Sequence, residues 1–293
     1  MNYSATDLLA LLELEQIEEN LFRAVNGPGT HVFGGQVLSQ AIVAAARTVD
    51  ADRQVHSIHA YFLRRGDWRR PILFEVDRIR DGKSFTTRRV VGIQHGRAIF
   101  NLSASFQVSE GGLSHQAPMP DVPGPEGLPT DEDHYTALAE KDPSIKRFAF
   151  RYQILDSRQV EGIHMFPRGA SEARPPRKST WMRMKASLPD DPILHRALLS
   201  YMSDMDFMST TMLPHSPVFV SQTIQGASLD HAMWFHRPFR VDEWLLFVKE
   251  SPNAAGARGY VRGNFYSESG DLVASAVQEC LIRLREPEQG VIP

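Results

Sequence analysis

Cys280 is the only cysteine in the sequence, so no intrachain disulfide can form and a cysteine-rich metal site is excluded. Long apolar runs are missing too. The most obvious one, Ala41 to Ala46, is far too short to span a bilayer. There is no excess of basic charge: 32 Lys and Arg face 35 Asp and Glu, a net charge of −3. Bulk electrostatics therefore give no attraction to nucleic acid or an anionic membrane. The opening MNYSATDLLALLELEQIEE is acidic and lacks the basic n-region of a signal peptide. The closing Gly290-Val291-Ile292-Pro293 carries no peroxisomal tripeptide. No GxSxG elbow is present, which argues against a serine nucleophile on an α/β-hydrolase sheet. The expectation is a cytoplasmic enzyme or binding protein, with no membrane insertion, no nucleic-acid partner and no metal.

What is present is a duplication. Ser57-Ile58-His59-Ala60-Tyr61-Phe62-Leu63 corresponds to Ser228-Leu229-Asp230-His231-Ala232-Met233-Trp234, and Ser103-Ala104-Ser105-Phe106-Gln107 to Ala274-Ser275-Ala276-Val277-Gln278. The spacing is 171 in both cases. A repeat this long signals a duplicated domain rather than a short-period solenoid, and 293 residues suffice for two domains. The expected division is residues 1–110, a linker over 111–145, and 146–293.

Each half has a helix followed by strands. In the first, Ser4 and Asp7 can cap a short helix, and Glu15–Val25 reads as a strand. Gly34-Gly35 opens an Ala-rich helix running to about Val49, whose small side chains let it lie close against a sheet. Strands follow at His56–Leu63, Ile72–Arg80, Ser84–Gln94 and Ala98–Val108, with Asp81-Gly82 and His95-Gly96 as turns. Gly111–Pro129, rich in Pro and Gly, reads as linker, and Asp131–Lys141 as helix. Phe148–Val160 and Ser179–Ala186 are strand candidates, separated by a basic loop at Arg168–Arg177. Asp191 as N-cap and Pro192 at the first helical position start the second main helix. Strands at Ala227–His236, Glu243–Ser251, Ala257–Tyr266 and Leu272–Leu284 complete the second half. The pattern is α+β.

Several residues carry possible chemistry. Gln278 shares a strand face with Leu272, Ala274, Ala276, Cys280 and Ile282. A buried amide there must find partners, either as a structural tie between strands or as part of a site. Gln107 lies on a polar face and needs no such explanation. Asp204 follows Ala197 and Tyr201 at helical spacing and can face Gln278, or it can be a solvated helix-end acid. Asp206, two residues on, is expected to be exposed. Gly34-Gly35 is either a simple turn or a helix N-terminus whose amides bind an anion. His56 and His59, at odd spacing, are expected on opposite strand faces as packing residues.

FGGQVLSQA, HAYFLRRGD, LDHAMWFHRPF and VASAVQE resemble the acyl-CoA thioesterase II family. The resemblance implies a double-hotdog fold with the two sheets joined edge to edge. It implies hydrolysis of fatty acyl-CoA to fatty acid and CoA, with no cofactor and with self-association as homodimer or homotetramer. It places the water-holding Asp, Ser/Thr and Gln on Asp204, Ser228 and Gln278. Serine at the hydroxyl position, where many relatives have threonine, keeps donor and acceptor but rotates more freely. Candidate substrate contacts are Gly34, Gly35, His59, Arg64, Arg88 and Arg258, with Arg65 a further arginine for the CoA phosphates. An amide of the Gly34–Gln36 turn is the expected oxyanion donor. The competing readings are a hotdog hydratase or dehydratase, for which no Asp-to-His motif is found, and a silent acyl-CoA-binding protein.

Overall fold

The computed structural model describes residues 4–27, 32–141, 154–162, 172–220 and 223–285. Its framework is one antiparallel sheet made from both halves. The first half contributes β1 (Glu15–Glu18), β2 (Leu21–Ala24), β3 (Arg53–Phe62), β4 (Ile72–Asp81), β5 (Phe85–Gln94) and β6 (Arg97–Val108). The second contributes β7 (Leu155–Gln159), β8 (Arg177–Met184), β9 (Thr223–Ser228), β10 (Asp230–Phe235), β11 (Leu245–Ala255), β12 (Arg258–Ser267) and β13 (Leu272–Arg285). The order is β1-β2-β4-β5-β6-β3-β10-β13-β12-β11-β8-β7, with β9 also on β13. The halves meet at β3 and β10, where Ile58 pairs with Met233 and Ala60 with His231. This is the double hotdog, joined edge to edge as expected.

The helices start where capping chemistry allows. In α1 (Ala5–Ala10), Ser4 Oγ accepts from Asp7 N and the Asp7 carboxylate accepts from Ser4 N. In α4 (Pro192–Ser203), Asp191 accepts from the amides of Ile193 and Leu194. The Ala-rich α2 (Gly34–Ala46) is buried along most of its length and packs on β3 to β6 and on α4. Ala41, Ala44 and Ala45 are fully buried, so the axis can lie close to both neighbours. Helix α3 (Asp131–Lys141) lies against β7, and the short α5 (Met208–Met212) lies on β11 and β12. One apolar cluster runs through both halves, and a smaller one gathers around Trp181 and Trp244.

Three expectations are corrected. Glu15–Val25 is a hairpin, not one strand: β1 folds back on β2, with Glu15 opposite Arg23. His56 and His59 share the outer face, because a bulge between Val55 and Ser57 cancels their odd spacing. His56 reaches Ser105 there, and His59 lies edge-on to Trp234. Ala227–His236 is divided at Leu229, since β9 and β10 together carry one extra residue opposite β13 between Ser228 and Ala232. Asp230 bridges the gap by accepting from Glu279 N at 2.6 Å. The Pro-rich stretch Gly111–Pro129 covers part of the second half. Met119, Val122 and Leu128 pack on Trp181, Trp244, Leu246 and Tyr266, and Trp181 Nε1 donates to Pro123 O at 2.9 Å. Of the expected strand at Phe148–Val160, residues 148–153 lie outside the described residues, as do 168–171 of the basic loop.

Candidate active site

The N-terminus of α2 abuts the C-terminus of α4, and this contact makes the site. It requires the glycine pair. A Cβ on Gly35 would stand 2.4 Å from Tyr201 O, and one on Gly34 would stand 2.6 Å from Asp204 Oδ2. Gly34-Gly35 is thus the first turn of a helix pressed against its neighbour, not a simple turn. The anion at that helix N-terminus belongs to the chain itself: Gly35 N donates to Asp204 Oδ2 at 2.9 Å. The positive end of the α2 dipole favours a carboxylate there.

Asp204 is the C-cap of α4. The segment beyond it is anchored twice. Phe207 is fully buried, tilted against Phe247, which stacks on Phe265. Burying such a ring contributes roughly 1.5–3 kcal/mol. Asp206 takes a left-handed backbone, φ 59°, and its carboxylate is held by the buried Lys178, with Lys249 at 3.9 Å. Asp206 is therefore not the solvated acid expected. Desolvation alone would push its pKa up, but the two ammoniums and Ser209 outweigh it and hold the group at about 2.

From Asp204 a line of hydrogen bonds runs into the sheet. Ser228 Oγ donates to Asp204 Oδ1 at 3.2 Å and accepts from Gln278 Nε2 at 2.8 Å. Gln278 is 1% exposed, and its Oε1 lies 2.8 Å from His231 Nδ1. His231 is fully buried, and its Nε2 lies 2.9 Å from Ser203 Oγ. Burial pushes the imidazole pKa down to about 4, only partly countered by Gln278, so the ring is neutral near pH 7. Asp204, Ser228 and Gln278 are brought together as expected; His231 and Ser203 were missed. The available signal was a histidine at the inward position of β10 within LDHAMWF, a face otherwise apolar at Met233 and Phe235.

The remaining candidates divide. Arg88 is 1% exposed, and its guanidinium bonds Thr48, Arg80 O, Thr87 O and Asp81, so it ties β5 to the end of α2 and is no phosphate contact. His59 lies on the outer sheet face, away from Asp204. Arg258 is exposed and paired with Glu279. Arg64 is exposed, bonds Ala98 O, and follows Phe62, whose ring lines the Gly34 position. Of the turn amides considered for the oxyanion, Gly35 N is on Asp204 and Gln36 N is on Phe33 O. Cys280 is no nucleophile: burial pushes its thiol up to about 12. Among the described residues no cluster of His, Cys, Asp or Glu can hold a metal, and no helix is long and apolar enough to cross a membrane.

The repeat does not carry its sequence spacing through to the site. Gln107 points away from the buried Phe106 and donates to Glu110, on the surface. Gln278 points inward, so residues at matching sequence spacing occupy opposite sheet faces.

Comparison with known proteins fits this arrangement. Residues 23–107 match the model of the acyl-CoA thioesterase N-terminal domain, and residues 161–281 match that of acyl-CoA thioesterase. The chain is 37% identical to acyl-coenzyme A thioesterase 8 of Homo sapiens, over 94% of this chain and 88% of that protein. It superposes on the crystal structure of an acyl-CoA thioesterase II from Mycobacterium marinum with a TM-score of 0.79 and 41% identity, covering 95% of this chain and 98% of that one. A hotdog-fold protein from Alicyclobacillus acidocaldarius, only 19% identical, shares the fold over 94% of this chain and 97% of its own, with a TM-score of 0.74. Identity at this level, carried across both halves and the join between them, means that the chain belongs to the acyl-CoA thioesterase II family.

Proposed function

We propose that the chain hydrolyses fatty acyl-CoA at the junction of α2 and α4, with Asp204 as general base and Ser228 and Gln278 orienting base and water. The observation that carries this is the double grip on Asp204, whose two carboxylate oxygens are held by groups from opposite halves. The second amide hydrogen of Gln278 is directed to the same water. The base removes a proton as the water oxygen bonds the thioester carbon. Collapse of the tetrahedral adduct breaks the C–S bond. A thiol of pKa about 8.5 leaves as thiolate with little acid assistance. Because Gly35 N is bonded to Asp204, the oxyanion is stabilised by the positive end of α2 rather than by that amide.

A hydratase would need a histidine and an acid facing one substrate carbon. His231 is fully buried behind Gln278, which does not favour that reading. The proposed organisation keeps residues 1–110, 111–145 and 146–293 as its units, in a homodimer or homotetramer and in the cytoplasm. Light scattering in solution tests the self-association.

Thiol release from acyl-CoA by Asp204→Asn is the test of the site. Turnover should fall by about 10²–10⁴, with acyl-CoA affinity little changed. Ser228→Ala should cost less, because the base remains. Turnover near wild type in Asp204→Asn would remove it as base.

A further inference from the structure

The hydrogen bonds behind Asp204 have only one direction in which Ser228 donates to the ionised base. A carboxylate accepts and never donates. Ser228 must therefore give its single hydrogen to Asp204 and accept from Gln278. Gln278 must turn its NH2 to Ser228 and its carbonyl oxygen to His231 Nδ1. The neutral imidazole then carries its one hydrogen on Nδ1, leaving Nε2 as a bare lone pair. Ser203 Oγ, 2.9 Å away, is the hydroxyl that fills it. Ser203 is the residue before Asp204, so the line leaves the end of α4, passes through β9, β13 and β10, and returns to its starting point.

We propose that His231 and Ser203 are positioning residues for the hydrolysis, fixing which way the Gln278 amide faces. The inference rests on the roles given above to Asp204, Ser228 and Gln278. A reversed network also closes. Ser203 would donate to Ser200 O, 2.9 Å away, and His231 would donate from Nε2 to Ser203. Gln278 would then turn over, and Ser228 would donate to its carbonyl oxygen. In that state Asp204 loses the Ser228 hydrogen, and the water meets a carbonyl oxygen where it needs an N–H donor. An imidazole protonated on Nδ1 and capped by Ser203 closes off this alternative. Neither His231 nor Ser203 touches the reacting atoms; both act through Gln278.

The test is a double-mutant cycle on thiol release, with His231→Phe in wild-type and Gln278→Ala backgrounds. A misoriented group costs about ten- to a hundredfold. We expect a kcat loss of that order in His231→Phe with KM within about twofold. The loss should vanish in Gln278→Ala. His231→Asn, whose amide can replace the Nδ1 donor, should recover most of it. Unchanged kcat in His231→Phe, or an equal loss in both backgrounds, overturns the proposal. Should His231→Phe not fold, ¹⁵N NMR of the His231 ring in the wild-type protein decides: a hydrogen on Nδ1 is expected, and one on Nε2 overturns it. A Gln278→Ala variant as active as wild type would sink the reading of Gln278 itself. A disabled Gln278→Ala beside an intact His231→Phe sinks only this inference.

Discussion

Gly35 N and Asp204 Oδ2 are 2.9 Å apart in space and 169 residues apart in sequence. A backbone amide of the first half holds the proposed base of the second. The site therefore exists only when both halves are folded and docked, and the residues that permit docking matter as much as those that react.

Gly35→Ala should show this directly. Its Cβ would meet Tyr201 O at 2.4 Å and the Phe33 ring at 2.6 Å, and the backbone carbonyl cannot turn aside as a side chain can. Separating α2 from α4 should cost about 1–3 kcal/mol. It also removes the Asp204 contact, so kcat should fall by about a hundredfold. Urea unfolding and thiol release on the same preparation check both effects; a stable, fully active Gly35→Ala would show that the close approach is dispensable.

Gln107→Ala should leave turnover near wild type, whereas Gln278→Ala should lower it strongly. Gln107 donates to Glu110 at the surface, and Gln278 donates to Ser228 beside the base. Equal losses in the two variants, both stably folded, would contradict a single working site.

Asp206→Asn should damage the protein rather than leave it unchanged. It strips the counter-charge from Lys178 and Lys249, both buried on strands β8 and β11. Removing one partner of a buried pair costs roughly 3–5 kcal/mol, and solvent at the half-buried carboxylate lowers that figure. Because its folded pKa is depressed to about 2, its contribution is present above the unfolded value of 3.8 and lost as pH falls toward 2. Denaturant midpoints at pH 7 and pH 3 should differ more in wild type than in the variant.

Asp131 should act with the opposite sign. Burial raises its pKa from 3.8 to about 6, against the lowering effect of Ser157 and Gln159. The stability it contributes is fully present below 3.8 and is lost as pH rises through about 6. Asp131→Asn should therefore raise the unfolding free energy at pH 8, by about 2–3 kcal/mol at most, read as a higher urea midpoint. It should also flatten the change between pH 4 and pH 6. A variant less stable than wild type at pH 8 would mean that the ionised carboxylate has a partner worth more than its desolvation.

Much of the fold was legible because its signals are local. Ser4 with Asp7, Asp191-Pro192 and His95-Gly96 each specify a cap or turn through their own chemistry, and the structure has each. Gln278 was legible for a related reason: strand alternation put one amide on an otherwise apolar face, and such a group needs a partner. The two lysines held the same kind of signal. Lys178 shares its face with Thr180 and Met182, and Lys249 shares its face with Leu245 and Phe247, so each required a buried acid. Asp206 is that acid, but its left-handed turn hides the relation from helical spacing.

The sequence by itself determined the duplication, the α+β class, the opposite faces of Gln107 and Gln278 and the residue types of the site, all of which follow from periodicity and near-neighbour chemistry. Tertiary structure decided what depends on distant partners. A bulge between Val55 and Ser57 put His56 on the same face as His59, against their odd spacing. Packing of α2 against α4 made Gly35 the holder of Asp204. Arg88 became a buried tie because Thr48 ends the helix above it. The direction of the Asp204–Ser228–Gln278–His231–Ser203 line depends on five side chains from one helix end and two strand regions. A hydrogen bond's donor is fixed only when its partner's other bonds are known, and those partners meet only in the folded chain.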